Sequence, residues 1–542
     1  MHLMAKLLEG LGNWRTSKAV RKCVSKTFNA EDPENYVVKI LKKCYGSKIQ
    51  RATLLKLLSV QNFNKLDRRG ADITKIMLPA LRHLLRVASD VEVLDLTGIV
   101  SYSPAADQYQ HLESAIIQVS ERATNLLSLS ILQEESLRVE KQTLGQAFVH
   151  AFAKMEHLQV LRIEEFEILI CDLSWLCKEL QNLRFISVDI CGSEILMMGP
   201  EIILDSFKRL KAFFFRMTAT SSQDMIEFKN LCQMNLFNLQ VLEDFASDFC
   251  SQRKYQYASH MIGDRNLRHL CLNLQYEKAE EGLHKWFPHV THLKIEGPTT
   301  LSDYEWKIEP LLKFFPSKIE SLHLSHVPLE IVLQFLTSYG SDLQSLFLGN
   351  SIFLKESESS LKPIFDLCPK LESVGLVEIE GTLPKSTFTM LNEVILKYDT
   401  VLDILIAPNL EKVTLLGQVV NEDHMRRLTD LISKKEALGK LKTLVVCIEC
   451  NSITEVKQPF FLAVADFVKT AARVLPTLTE IQFRVNHMCN YIILAKSLMC
   501  ERFENDEIAG VGTFFSLRTN FDEFQWFIDG GLIDTLNKFS VQ

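Results

Sequence analysis

Residues 319–350 read IESLHLSHVPLEIVLQFLTSYGSDLQSLFLGN. The stretch contains one phrase twice: an aliphatic residue, two variable residues, a second aliphatic, one variable residue and Leu. The first copy begins at Ile319 and the second begins 24 residues later, at Leu343. Between the two copies, PLEIVLQFLTSYG spaces its apolar residues as an α-helix does. The phrase and the helical segment that follows it therefore form one unit that the chain repeats.

The phrase recurs along most of the chain, mostly at intervals in the twenties. It is found fifteen times when Ile, Val or Phe may stand at the apolar positions and a damaged copy, LQVLED, is counted. The copies begin at Val91, Leu126, Leu158, Leu183, Leu210, Leu239, Leu267, Val290, Ile319, Leu343, Leu371, Leu391, Leu410, Leu441 and Leu478. Self-similarity at this period and with this pattern is typical of leucine-rich repeats.

The physical reason for the repeat is that one copy cannot bury its apolar side alone. The last two aliphatic residues are two positions apart, so on a β-strand they point to the same side. Strands stacked in parallel share that side as a common core, and a helix in each repeat closes the core. The segments HLESAIIQVSERATN, TLGQAFVHAFAKM and LSWLCKELQ have the apolar spacing of such helices. The sequence predicts an α/β leucine-rich repeat solenoid, with parallel strands on a concave face and helices on a convex face.

Two stretches resemble the ribonuclease-inhibitor-like repeats of F-box/leucine-rich repeat proteins. They are residues 346–376, in which a helical segment ends in Leu-Cys-Pro-Lys-Leu before the next phrase, and residues 407–417, APNLEKVTLLG. The resemblance covers residues 88–487. It departs from the family three positions after the last aliphatic residue, where Asn or Cys is usual and only Cys191 and Asn486 occur. This departure predicts an irregular array.

Three parts are expected along the chain: a basic helical module at residues 1–87, the repeat array at 88–487 and a C-terminal cap at 488–542. Residues 1–86 carry 18 Lys and Arg against 6 Asp and Glu, a net charge of +12. Because the whole chain carries −7, the remainder carries −19. The resemblance implies that residues 1–87 dock an adaptor of a cullin-type ubiquitin ligase, although the F-box opening Leu-Pro-x-Glu is absent. The alternative is that these helices only cap the first repeat.

No motif predicts an enzyme. The sequence has no phosphate-binding loop, no Gly-x-Ser-x-Gly and no His-Glu-x-x-His. Cys447 and Cys450 form a lone Cys-x-x-Cys, and a zinc site would need a second pair. We therefore expect no catalytic residue, no metal and no cofactor.

Composition narrows the expected location and partners. No stretch approaches the roughly 18 uninterrupted apolar residues of a membrane span. The 13 cysteines are scattered and odd in number, which favours reduced thiols in an intracellular protein, cytoplasmic or nuclear. A nucleic-acid partner is not favoured, since no nucleic-acid module accompanies the basic segment.

The concave face is the predicted binding surface for a protein partner, because extended concave surfaces of repeat proteins serve this purpose. Alternation along the strands places a mixed-charge set with exposed aromatics there. The set comprises Arg162, Glu164, Asp189, Phe214, Arg216, His269, Asn273, His292, Lys294, His323, Phe347 and Lys397. The histidines at 269, 292 and 323 lie on successive repeats. Because neighbouring strands are about 4.8 Å apart, the three rings could approach one another and form a metal or pH-sensing site. An ordinary solvent-facing role for them is preferred.

Two functions remain open from the sequence. The first is the substrate-recognition subunit of a cullin-type ubiquitin ligase, which would position another protein and perform no chemistry. The second is a ligase-independent scaffold or inhibitor whose two ends serve as caps.

Overall fold

The structure is a computed structural model that forms two compact units, Met1–Ser251 and Gln252–Gln542, here called the N-terminal and C-terminal units. It describes residues 93–96, 105–132, 142–192, 199–217, 228, 229, 231, 232, 236, 238–244, 266–274, 281–298, 306–314, 319–349, 361–377, 389–397, 402–417, 422–449, 458–478, 480–486 and 512–516. The expected module at residues 1–87 lies outside them, as does most of the expected cap.

Each unit is built on a sheet whose described pairings are all parallel. The N-terminal unit has the strand order β1-β2-β4-β5-β6-β7, with β3 beside the far end of β4. Its strands are β1 (Val93–Asp95), β2 (Ser128–Leu132), β3 (Gln142–Thr143), β4 (Val160–Leu169), β5 (Phe185–Cys191), β6 (Ala212–Met217) and β7 (Val241–Asp244).

The strands of the C-terminal unit pair in chain order from β8 to β17. They are β8 (His269–Asn273), β9 (His292–Glu296), β10 (Ser321–Ser325), β11 (Ser345–Gly349), β12 (Ser373–Val377), β13 (Glu393–Lys397), β14 (Lys412–Gly417), β15 (Thr443–Glu449), β16 (Glu480–Asn486) and β17 (Gly512–Ser516).

Every copy of the phrase forms a strand, and every one of these strands begins two residues after the first aliphatic residue. Thus Leu158 precedes β4 at Val160, and Leu343 precedes β11 at Ser345. The first, second and third aliphatic residues of a copy, such as Ile319, Leu322 and Leu324, are all buried. The predicted parallel strands with a shared aliphatic interior are therefore confirmed.

A backbone hydrogen-bond ladder fixes the register before each strand begins. The carbonyl of the second residue of a phrase accepts bonds from the second and third residues of the next phrase. Gln159 O accepts from the amides of Arg184 and Phe185, both at 2.9 Å, and Glu320 O accepts from those of Gln344 and Ser345 at 2.9 and 3.1 Å. Because the side-chain period of a strand is two, this register keeps every aliphatic residue on one face.

Helices follow the strands and cover the aliphatic side. They are α1 (Ala105–Arg122), α2 (Gln146–Ala153), α3 (Ile170–Glu179), α4 (Pro200–Phe207), α5 (Leu283–Trp286), α6 (Leu329–Tyr339), α7 (Lys362–Leu367), α8 (Glu422–Ser433) and α9 (Gln458–Val474). Helices α1 to α4 pack in sequence order, as do α6 with α7 and α8 with α9.

Helix α6 shows why these segments are helical. Its buried residues Val332, Phe335, Leu336 and Tyr339 recur at intervals of three and four, which gives one apolar stripe. The Tyr339 hydroxyl donates to the carbonyl of Leu311, so the polar end of this buried ring is satisfied. Helix α7 ends at Leu367, just before the Cys-Pro pair that the resemblance rested on.

Two of the strands in the described part of the chain do not come from a phrase. Strand β3 pairs with Phe166 and Glu167 of β4, and β17 pairs with β16 inside the segment expected to be a cap. Strand β4 is ten residues long, and its register to β5 shifts between Ile163 and Glu167. No helix among the described residues is long and apolar enough to cross a membrane.

Candidate functional site

The sheet face opposite the aliphatic interior, which we call the second face, carries three rows of side chains. The third residue of each phrase supplies the first row and the fifth residue supplies the second row. The residue that follows the last aliphatic supplies the third row. Within each unit, strand pairing aligns the rows at a spacing of about 4.8 Å between neighbours, except where the register of β4 to β5 shifts. All twelve predicted binding residues occupy one of these rows or the corresponding phrase position.

In the N-terminal unit, the structure brings four of the predicted residues into neighbouring rows. Arg162, Ser187 and Phe214 are register partners in the second row, and Asp189 and Arg216 are register partners in the third. The Phe214 ring packs against Phe185 with 5.3 Å between ring centroids. This part of the second face combines charged groups with a buried aromatic pair.

Glu164 does not align with the other predicted residues of the third row. Because the β4–β5 register shifts after Ile163, the partner of Asp189 is Glu167 and not Glu164. Glu164 instead pairs in register with Leu132 of β2. Counting from the phrase therefore fails at this one bulged strand.

The three predicted histidines separate into a pair and a single residue. His269 and His292 are both in the first row, and their rings stack at 4.0 Å with an interplanar angle of 9°. His323 is in the second row, where its register partners are Lys294 and Phe347. Its ring stacks on Phe347 at 4.2 Å. The three rings thus do not converge on one point.

The remaining predicted residues lie at the far ends of their strands. Asn273 pairs in register with Glu296, and Lys397 pairs with Leu416. Both belong to the third row.

Much of the second face is closed to solvent, which the sequence did not predict. Five of the residues expected to face solvent have low exposed fractions: Asp189 2%, Phe214 2%, His269 5%, His323 1% and Phe347 0%. Arg162, His292 and Lys294 are half-buried. Alternation assigns a side chain to a face, but it does not reveal how neighbours on that face cover one another.

The second row of the C-terminal unit is an apolar row that alternates large and small residues. Across β11 to β15 it reads Phe347, Gly375, Ile395, Thr414 and Val445. Phe347, Ile395 and Val445 form one buried cluster together with Val377. A Cβ atom on Gly375 would overlap the Phe347 ring, so the glycine makes room for that ring.

The first row of the same unit is a polar row, in which His269 and Ser321 are buried. Its half-buried or exposed members are His292, Ser345, Ser373, Glu393, Lys412 and Thr443. Lys412 Nζ lies 2.5 Å from Glu393 Oε1, so adjacent strands are bridged by an ion pair on this face. Lys442 and Glu411 form a second pair, at 2.6 Å, just before the strands begin.

A repeated polar contact at the start of the strands was missed by the sequence reasoning. The residue immediately before the first aliphatic reaches back to the preceding repeat, where it donates to the carbonyl two positions before that repeat's phrase. Asn182 donates to Glu156 O at 2.9 Å, Asn238 to Lys208 O at 3.1 Å and Asn409 to Thr389 O at 2.6 Å. Thr477 Oγ1 lies 3.3 Å from Gly439 O and 2.8 Å from Leu441 O, and its single hydroxyl hydrogen can be donated to either carbonyl. The signal was visible as Asn or Thr directly before the phrase.

The described residues contain no group of three His, Cys, Asp or Glu that could hold a metal ion. Burial raises the pKa of the Cys191 thiol to about 11 and that of Cys368 to about 12, so both thiols are protonated and weak nucleophiles at neutral pH. Burial, with the positive neighbours Arg268 and Lys294, lowers the pKa of His269 and His323 well below the ordinary value. These groups fit a structural role better than catalysis.

The repeated strand-and-helix unit, its parallel pairing and its shared aliphatic interior define a leucine-rich-repeat-like α/β fold. No family model matches the chain, and no curated protein matches it. Among solved structures, it is similar to the Rad7 and Elc1 complex in yeast at 14% identity and a TM-score of 0.37, which covers 78% of this chain and 94% of that chain. It is also similar to an internalin from Listeria monocytogenes at 11% identity and a TM-score of 0.21, covering 79% and 92%. At such values neither likeness bears on function.

Proposed function

We propose that this protein performs no chemistry and works by binding another protein on the second face of its sheet. The polar row of the C-terminal unit is the observation that supports this proposal. Six half-buried or exposed polar side chains stand at equivalent positions of β9 and β11 to β15, held in register by the sheet, while Ser321 at the same position of β10 is buried. A partner that crosses β11 to β15 would meet hydroxyl and charged groups on successive strands.

The composition of this row suits a protein partner. Serine and threonine hydroxyls flank a carboxylate and an ammonium group, and the buried apolar row lies beside them. Protein interfaces commonly combine an apolar centre with a polar rim. A nucleic acid would instead require a stripe of positive charge, whereas the Lys412 charge is paired with Glu393.

A charge swap tests the proposal while the internal ion pair is kept. The double variant Glu393→Lys/Lys412→Glu reverses the order of the charges but still allows the pair to form. The full-length chain is purified from its own cells, and the co-purifying proteins are quantified for the wild type and for the variant. We expect the swap to lower the recovery of the specific partner at least tenfold.

The matched control is a swap on the helical side of the molecule. Lys178 of α3 and Asp205 of α4 form an exposed ion pair at 2.7 Å. The double variant Lys178→Asp/Asp205→Lys should leave recovery unchanged. Loss of the partner in this control, with retention in the second-face variant, would contradict the proposed surface.

Within this class, the finer proposal is a substrate-recognition subunit of a cullin-type ubiquitin ligase, with residues 1–87 docking the adaptor. It is supported by the layout of a basic segment ahead of the repeats and by the resemblance of residues 346–376 and 407–417 to F-box/leucine-rich repeat proteins. The same purification should then contain a cullin adaptor, which is lost when residues 1–87 are deleted. If the partner is recovered without any adaptor, the ligase role is wrong and the scaffold alternative remains.

A further inference from the structure

The second face carries two stacked ring pairs on four successive strands, and we call these four residues the seam. The His269 ring of β8 stacks on His292 of β9, and the His323 ring of β10 stacks on Phe347 of β11. His269 and His323 are almost fully buried. His292 is also bonded through its Nδ1 to the Thr291 hydroxyl at 2.8 Å, and His323 through its Nε2 to the Ser325 hydroxyl at 2.9 Å.

The charged neighbours of this seam are mainly positive. On β8, Arg268 precedes His269, and on β9 the neighbours are His292 and Lys294. Lys294 is the register partner of His323, and Glu296, at the end of β9, pairs in register with Ser325. Besides burial, His292 and Arg268 lower the pKa of His269, and Lys294 lowers that of His323. A proton added to either ring would therefore lie in a buried place beside like charge.

We propose that His269, His292 and His323 form an acid-sensitive seam that keeps β8 to β11 closed at neutral pH and opens this part of the second face as the pH falls. The proposal concerns this chain alone and does not depend on the identity or existence of a partner. Two flat neutral rings can stack at 4.0 Å, but two imidazolium rings at that distance repel each other.

The direction of the pH effect follows from the two states. In the closed state, burial and the neighbouring cations depress the pKa of His269 and His323, whereas in the open state each ring regains its ordinary pKa of about 6.5. The closed state is thus fully favoured above pH 6.5 and loses stability as the pH falls below that value. Between pH 7.5 and 5.5 the opening equilibrium should rise about tenfold for each histidine, or about a hundredfold for the two together.

Hydrogen exchange of the full-length protein, read by mass spectrometry at pH 7.5 and 5.5, measures this opening. After correction for the intrinsic pH dependence of amide exchange, protection of β8 to β10 should fall about a hundredfold. Strands β13 to β15 of the same molecule serve as the internal reference and should change far less. An equal fall in both regions, or no fall in β8 to β10, would overturn the proposal.

The variant His269→Gln/His323→Gln removes both titrating rings and keeps polar side chains of similar size. In this variant, protection of the β8 to β10 amides from exchange should be nearly independent of pH, whatever its absolute level. A hundredfold fall that persists in the variant would contradict the proposal. A second measurement needs no variant: NMR titration of the histidine ring protons in the wild type. His269 and His323 should titrate well below pH 6.5, and titration of both at or above 6.5 would exclude the mechanism.

Discussion

The two units begin their strands at the same position of the same phrase, yet they fill the space around those strands differently. In the N-terminal unit the interior beside β6 is aromatic: Phe213 lies 5.3 Å from Phe207, 5.2 Å from Phe215 and 6.1 Å from Phe228, measured between ring centroids. In the C-terminal unit the equivalent positions are aliphatic, as at Leu322 and Leu346. The phrase thus determines where the strands begin in both units, whereas the residue types that fill the interior differ between the units.

The second faces differ in the same way. In the N-terminal unit, first-row positions on β4 to β6 are Val160, Phe185 and Ala212, and the second row holds Phe214. In the C-terminal unit, the first row is polar and the apolar residues occupy the second row. A partner that binds through the polar side chains of the first row would therefore prefer the C-terminal unit.

The largest expected effect is from breaking the aromatic interior of the N-terminal unit. Phe213→Ala should lower the free energy of unfolding by about 3–5 kcal/mol, since a fully buried ring is lost and its neighbours collapse only in part. Phe213→Leu, which imitates the aliphatic filling of the other unit, should cost less. Denaturant unfolding followed by circular dichroism measures both variants.

The control for this pair is Ile202→Ala on helix α4. Ile202 is 41% exposed, so its truncation should change the free energy of unfolding by no more than about 0.5 kcal/mol. If Phe213→Ala were as mild as this control, the aromatic cluster would not be what fills the N-terminal unit.

The next effect concerns the contact between Gly375 and Phe347 on the second face of the C-terminal unit. Gly375→Ala should cost about 1–3 kcal/mol, because the new methyl group overlaps the buried Phe347 ring. Phe347→Leu in the same chain should relieve part of that cost, so the two changes together should cost less than their sum. Denaturant midpoints of the two single variants and the double variant give the coupling.

Gly439→Ala is the matched control, because no atom lies within 4 Å of the position of its added Cβ. It should be neutral or stabilising by up to about 1 kcal/mol through reduced freedom of the unfolded chain. If both Gly→Ala variants lowered the free energy of unfolding equally, the close approach of the Phe347 ring would not be the cause of the loss at Gly375.

The sequence predicted the strands well because three buried aliphatic positions per repeat leave a clear pattern. Leu239 and the damaged LQVLED still yield β7, since the shared interior and the backbone ladder compensate for one missing aliphatic residue. The sequence failed where the outcome depends on neighbouring repeats. The bulge in β4 displaced Glu164, and nothing in a single phrase reveals that Phe347 is covered.

The separation of the histidines could have been read from the sequence. His269 and His292 hold the third position of their phrases, whereas His323 holds the fifth, about 6.6 Å further along a strand. The asparagines at 182, 238 and 409 likewise share one position, directly before their phrases.

Those asparagines give the third effect, which should occur in both units. Asn182→Ala in the N-terminal unit and Asn409→Ala in the C-terminal unit should each lower the free energy of unfolding by about 0.5–1.5 kcal/mol, because each removes a bond to a backbone carbonyl of the preceding repeat. Asn409 also accepts a bond from Lys440 at 2.6 Å, which makes it the more sensitive of the two. Thermal and denaturant unfolding measure both.

Asn392→Ala supplies the control for the asparagine pair. Asn392 is exposed at the second position of its phrase, and only its backbone enters the ladder. Its replacement should change stability by less than about 0.5 kcal/mol. A similar cost at Asn392 would mean that the loss of any asparagine, and not the contact between repeats, explains the effect.

The smallest effect concerns the ion pair that marks the polar row of the C-terminal unit. A double-mutant cycle of Glu393→Gln and Lys412→Gln should give a coupling of about 0.2–1 kcal/mol, the range of cross-strand and surface pairs. The side chains of Glu393 and Lys412 are 21% and 46% exposed, against 47% and 56% for Glu411 and Lys442. Because water screens the more exposed pair more strongly, the coupling of Glu393 with Lys412 should be the larger of the two, and both should shrink at high salt. Equal couplings that do not respond to salt would mean that packing, and not charge, holds these side chains in place. A partner would then bind through the hydroxyl groups and shape of the row more than through its charges.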